Sequence, residues 1–278
     1  MRTLKRLVIV ALCTVAAFAL VCLGTLYFAQ ESMIYFPRAY SSEEIAWAGE
    51  RAQEISFRTT EGEQKAFFLG AGPGEQLPGR IWLLFGGNAS CALDWIPLLD
   101  LFGIEDAGFL MIDYPGYGLC EGRPGPQAIA ASTEAAVAAL AGHLGVEQGE
   151  MAGRFATLGH SLGAAAALGA AEHFGIEPIV LLSPFTSLKD MAARIVGRPF
   201  SNLLRHDYDN RARVERLLVR DGVQLTILHG SADTIIPLQM GEALADLEPE
   251  RIDFHAIEGA GHNDIARFGR SVIAAAMR

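Results

Sequence analysis

A serine between two glycines, Gly159-His160-Ser161-Leu162-Gly163, is where this sequence first offers chemistry. The apolar run Phe155-Ala156-Thr157-Leu158 precedes it, and small helix formers follow through Ala171. That pattern predicts a strand, a tight turn and a helix, with Ser161 at the crest of the turn. Such a turn strains the serine backbone, so its neighbours must lack bulk, which Gly159 and Gly163 provide. A serine hydroxyl is a weak nucleophile until a base takes its proton. Two later loops supply partners, each directly after a predicted strand. In His229-Gly230-Ser231-Ala232-Asp233, Asp233 is positioned to orient an imidazole, although an aspartate in such a loop also serves turn formation. In Gly259-Ala260-Gly261-His262-Asn263-Asp264, His262 is the candidate base. Asp190 is the competing acid; Asp253 and Glu258 fit less well. His160, adjacent to Ser161 and expected to point away from it, is read as structural or pocket-lining, as are His229 and His255. A fourth loop, Phe85-Gly86-Gly87-Asn88-Ala89, would place the Asn88 N–H beside that of Leu162, as two donors for a developing oxyanion.

These loops need a frame that brings their ends together. Strand signals occur at residues 54–58, 66–69, 81–85, 109–113, 155–158, 179–182, 225–228 and 252–257. The first two alternate polar and apolar residues, as an edge hairpin does. The later ones are nearly continuous apolar runs, as in parallel strands covered on both faces. Helix signals lie between them, at 126–142, 238–247 and 264–277. The class is therefore α/β with a mostly parallel sheet and helices on both faces. Chemistry in such folds gathers at the carboxyl ends of the strands. Residues 186–222 break the pattern with short helical stretches, read as a small helical cap inserted over the site.

Arg2, Lys5 and Arg6 precede an uncharged run of 24 residues, 7–30, long enough to cross a bilayer as a helix. Residues 1–30 are read as an uncleaved transmembrane anchor and 31–278 as the catalytic domain. The positive-inside rule leaves that domain on the extracytoplasmic side. Secretion after signal cleavage is the alternative, although Tyr27-Phe28-Ala29 suits a cleavage site poorly. The net charge of −10 argues against a nucleic-acid partner, which needs basic residues against phosphates. No protein partner is identifiable. Of the four cysteines, Cys91 and Cys120 lie beyond the anchor, where a bridge between them or two ordinary thiols are both open readings. Scattered histidines and the lack of a Cys-x-x-Cys spacing give no metal site, and no cofactor is implied.

The order Ser161, Asp233, His262 is that of the α/β-hydrolase fold. The chain resembles the serine α/β-hydrolases of the Bem46-like group over nearly its whole length. The resemblance rests on the apolar N-terminus followed by Tyr35-Phe36-Pro37, on Gly86-Gly87-Asn88-Ala89, and on Asp113-Tyr114-Pro115-Gly116-Tyr117-Gly118. It continues through the serine turn, Ser183-Pro184-Phe185-Thr186-Ser187, the Asp233 loop and Gly261-His262-Asn263-Asp264. It implies Ser161, Asp233 and His262 as a catalytic triad, with backbone donors at Leu162 and Asn88. Two positions depart from the group. Gly86 stands where a histidine is usual, so the bonds that shape this loop must come from elsewhere. Cys120 stands where many members carry serine. The expected activity is hydrolysis of carboxylic esters or thioesters with acyl or lipid-like substrates. A peptidase of the same fold, or a non-catalytic membrane-anchored binding protein, is the alternative.

Overall fold

Successive residues of a strand face opposite sides of its sheet. In this chain both sides are apolar, so the central strands are covered twice. The computed structural model describes residues 2–70 and 75–278. Its strands are β1 (Gln53–Thr59), β2 (Gly62–Leu69), β3 (Arg80–Phe85), β4 (Ala107–Ile112), β5 (Phe155–His160), β6 (Pro178–Leu182), β7 (Gln224–Gly230) and β8 (Ile252–Ile257). They form a single sheet in the order β1-β2-β4-β3-β5-β6-β7-β8. β1 and β2 form an antiparallel hairpin, β2 runs antiparallel to β4, and every later pairing is parallel.

The helices are α1 (Arg2–Ile34), α2 (Ser42–Gly49), α3 (Ile96–Phe102), α4 (Pro126–Leu144), α5 (Leu162–Phe174), α6 (Leu188–Val196), α7 (Arg198–Ser201), α8 (Asn210–Leu218), α9 (Leu238–Ala245), α10 (Ile265–Phe268) and α11 (Arg270–Met277). Ile81, Leu83 and Phe85 pack into the core shared with α4, α5, α8 and α9. Trp82 and Leu84 pack into the opposite core, with α3, α10 and α11. The result is a three-layer α/β sandwich.

All eight predicted strands are present. Two helices were not foreseen. α2 is announced by a capping box, in which the Ser41 side chain accepts from the Glu44 amide and Glu44 accepts from the Ser41 amide. α3 ends on Gly103 in the left-handed conformation (φ 62°). The predicted helix at 264–277 is broken at Gly269, where a Cβ would stand 2.8 Å from the Leu228 side chain. Cys91 and Cys120 are both free thiols. The Cys91 Sγ faces the Arg38 carbonyl at 3.5 Å, and the Cys120 Sγ accepts from the Lys65 amide at 3.2 Å. Burial pushes each thiol up to about 12.

α1 runs 33 residues without a break at residue 30. At 1.5 Å per residue it is about 50 Å long, well beyond the ~30 Å hydrocarbon core of a bilayer. Among the described residues it is the one helix long and apolar enough to cross a membrane. Its early side chains are exposed, but its last turns pack against the domain, beginning with the buried Gln30.

Candidate active site

The loops singled out from the sequence converge at the carboxyl ends of β3, β5, β7 and β8, around the point where strand order reverses between β4, β3 and β5. Ser161 sits between β5 and α5 with φ 57° and ψ −117°, a conformation that L-residues adopt only under constraint. Its amide donates to the Leu182 carbonyl of the neighbouring strand at 2.9 Å. The flanking glycines are obligatory. A Cβ on Gly159 would strike the Gly163 carbonyl, and one on Gly163 would strike the Phe85 carbonyl at the end of β3.

Ser161 Oγ lies 2.9 Å from His262 Nε2, and His262 Nδ1 lies 2.7 Å from Asp233 Oδ2. A carboxylate can only accept, so Nδ1 carries the proton and Nε2 is left to accept from the serine. The Asp233 side chain is inaccessible to solvent. Its other oxygen accepts the amides of Ile235 at 2.9 Å and Ile236 at 2.8 Å. Burial acts to raise the Asp233 pKa, but the bonds from His262 and the two amides outweigh it and hold the carboxyl below its ordinary value. The acid and base loops are stitched together by the Ala232 amide on the Ala260 carbonyl, 2.9 Å. Asp264 accepts from the Gly261 amide at 2.7 Å and shapes the turn that carries His262.

The other polar candidates fall elsewhere. Asp190 lies in the first turn of α6, gives its amide to the capping Ser187 hydroxyl at 3.0 Å and accepts the Thr186 hydroxyl at 2.8 Å, with no contact to His262 among the described residues. Asp253 pairs with His255 at 2.8 Å. Buried His229 donates from Nε2 to the Ile236 carbonyl at 2.9 Å, behind Asp233. His160 does not point away as expected. Its ring lies 4.8 Å from the His262 ring, and its Nε2 donates to the His262 carbonyl at 2.9 Å. Burial, and then the neighbouring His262, push its pKa down to about 4, so it is a neutral donor that fixes the backbone of His262.

The loop after β3 is held without the histidine usual in the resembling group. Tyr114 donates its hydroxyl to the Gly86 carbonyl at 2.7 Å, and Tyr117 donates to the Asn88 carbonyl at 2.7 Å. The Phe36 amide also reaches the Asn88 carbonyl, at 2.9 Å. The Asn88 side chain donates to the carbonyl of Ile34, the last residue of α1, at 3.0 Å. The motif Asp113-Tyr114-Pro115-Gly116-Tyr117-Gly118 thus braces this loop. Its aspartate anchors the neighbouring turn, accepting the Ala92 amide and the Tyr40 hydroxyl, both at 2.8 Å.

Above Ser161 opens a cavity of about 770 Å³. Its walls come from the loops of Asn88 and His262, from cap helices α6 and α7, and from the last turns of α1. Leu188, Met191, Ala192 and Ile195 present one face of α6 to it.

A sequence model of the alpha/beta hydrolase family matches residues 70–221. The uncharacterized protein Rv2307c of Mycobacterium tuberculosis is 34% identical over 264 residues, which is 91% of this chain and 89% of that one. The uncharacterized protein YfhR of Escherichia coli K12 is 25% identical over 234 residues, 81% of this chain and 76% of its own. The chain belongs to the alpha/beta hydrolase family. Among solved structures, an alpha-beta hydrolase of Vibrio vulnificus superimposes with a TM-score of 0.65 at 16% identity, over 91% of this chain and 92% of that one. An esterase of Pyrococcus furiosus does so with 0.64 at 17%, over 88% and 96%. At such identities the likeness is one of fold: the α/β-hydrolase fold, with its mostly parallel eight-stranded sheet.

Proposed function

We propose that this protein is a membrane-anchored serine hydrolase of carboxylic esters or thioesters, with Ser161 as nucleophile, His262 as base and Asp233 as its orienting acid. The observation that carries the reading is the unbroken chain from Ser161 Oγ through His262 to buried Asp233, at 2.9 and 2.7 Å, on the floor of an apolar cavity. His262 takes the hydroxyl proton as Ser161 Oγ bonds to the acyl carbon. The N–H groups of Leu162 and Asn88 receive the oxyanion, the first at the positive end of α5. No protein acceptor for either N–H occurs among the described residues. His262 then protonates the departing alcohol or thiol, and water releases the acyl group by the same steps.

Anchoring by α1, with the domain on the extracytoplasmic side, rests on the length of the helix and on Arg2, Lys5 and Arg6 before it. The Bem46-like assignment fits this arrangement. A fluorophosphonate probe tests the chemistry: wild type is labelled and Ser161→Ala is not. A folded wild type that resists the probe sinks the reading. A reporter fused to the C-terminus tests topology, and a cytoplasmic signal refutes the outward domain.

A further inference from the structure

The end of α1 does more than lead into the domain. Leu23, Tyr27, Gln30 and Ile34 all line the cavity above Ser161. Their spacing of four, three and four residues puts them on one helical face. α1 is fastened there by polar bonds, those of Gln30 part-buried, rather than resting on the cap. Gln30 donates to the Leu203 carbonyl at 3.0 Å and accepts the Arg205 amide at 2.7 Å. Arg205 pairs with Glu31 at 3.2 Å and covers the Tyr27 ring at 5.6 Å. Tyr35, just beyond the helix, meets the Tyr208 hydroxyl at 3.1 Å. The wall nearest the chemistry is Ile34, whose carbonyl holds Asn88. From Ile34 to Leu23 the helix covers about 16 Å, the reach of roughly a dozen carbons in an extended chain.

The cap supplies the facing wall and a rim. Ile195, Phe200 and Leu203 line the cavity, yet are 78%, 49% and 47% exposed. Beside them Arg194 and Arg198 are exposed, with no ion-pair partner among the described residues. An apolar rim with basic flanks, continuous with a span-length helix, matches the headgroup boundary of an anionic bilayer.

We propose that the cavity takes its substrate from the bilayer, and that α1 is the wall which sets acyl chain length. The substrate class is a long-chain acyl ester or thioester of a membrane-resident amphiphile, its chain lying between α1 and α6 and its carbonyl at Ser161. This rests on Ser161 being the nucleophile. It also makes α1 part of the site, so cleavage after residue 29 would strip the cavity of Leu23 and Tyr27.

The test uses the full-length protein in vesicles of phosphatidylcholine with phosphatidylglycerol, and p-nitrophenyl esters from butyrate to palmitate. Leu23→Trp shortens the groove and lowers the dodecanoate-to-butyrate ratio of kcat/KM at least tenfold. Val21→Trp, on the opposite face of α1, keeps the wild-type ratio. Ala192→Trp on the facing wall lowers the ratio as Leu23→Trp does. Palmitate ester in the same vesicle as the enzyme is hydrolysed at least tenfold faster than in separate vesicles. An unchanged ratio in both wall variants, with fluorophosphonate labelling intact, overturns the wall. Equal rates in same and separate vesicles overturn intake from the bilayer. Loss of labelling in wild type overturns instead the hydrolase reading on which both depend.

Discussion

Removing the Tyr114 hydroxyl should separate the two tasks of the loop after β3, stability and oxyanion binding. In Tyr114→Phe the ring keeps its packing against Tyr117, and the Gly86 carbonyl loses its buried donor at 2.7 Å. A buried acceptor left unpaired costs about 1–3 kcal/mol. Tyr117→Phe should cost less, about 0.5–1.5 kcal/mol, because the Phe36 amide remains on the Asn88 carbonyl at 2.9 Å. The Asn88 N–H, proposed above as one of the two oxyanion donors, lies two residues beyond Gly86, so the same loss should loosen it. Removing such a donor outright costs roughly 10²–10³ in kcat, so a displaced one should cost about 10–100-fold. Because the donor acts on the transition state, kcat should fall while KM stays within about twofold. Urea midpoints and p-nitrophenyl butyrate kinetics on both variants measure this. A Tyr114→Phe enzyme that loses stability as expected but keeps wild-type kcat would refute the claim that this hydroxyl positions the donor. So would a larger kcat loss in Tyr117→Phe.

Three other outcomes follow from the site. Asp233→Asn should lower kcat by roughly three to four orders of magnitude, because an amide no longer selects the imidazole tautomer, whereas Asp190→Asn should stay within about twofold; ester hydrolysis by the two variants compares them directly. Gly163→Ala drives a methyl into the Phe85 carbonyl and should cost about 1–3 kcal/mol with loss of probe labelling, read by urea denaturation and gel fluorescence. The third concerns pH. Burial raises Asp113 to about 7, so its contribution to stability falls as pH rises from about 4 to 7. Burial lowers His160 to about 4, so its contribution is lost as pH falls from about 6.5 to 4. The slopes oppose each other, each worth up to roughly 3–4 kcal/mol. Asp113→Asn removes one, and its urea midpoint should drop more steeply than wild type between pH 7 and 5.

The sheet was legible because double coverage makes parallel strands uniformly apolar, and that signal survives without tertiary information. Ser161, Asp233 and His262 were legible because each ends such a strand in a glycine-bearing loop, and strand ends of a parallel sheet gather on one side. α2 was equally legible from Ser41 and Glu44, yet went unread for want of a long apolar stripe. The direction of His160 was misjudged for a different reason. Chain adjacency to Ser161 says where its backbone lies, but its ring is placed by the His262 carbonyl, a partner 102 residues away. Sequence reasoning also missed Tyr114 and Tyr117 as braces, although the absence of a histidine at Gly86 had left their task open.

The hardest part to read was α1, and the reason is physical. Lipid tails and the walls of an acyl cavity select the same side chains, so an apolar helix looks alike in either setting. Only Gln30 breaks the ambiguity. A polar amide at the end of an apolar run satisfies a membrane boundary, but here both of its functional atoms are engaged by the cap. In lipid an unpaired amide would be costly, and in water it would need no partner. Gln30 therefore lies where α1 passes from exposed turns to turns packed on the domain, as one continuous piece of structure. The chain's boundary at residue 30, drawn from hydropathy, marks a change of surroundings along a single helix. If α1 spans the bilayer as proposed, the same helix holds Asn88 through Ile34 and so ties membrane insertion to the shape of the cavity and of the loop after β3.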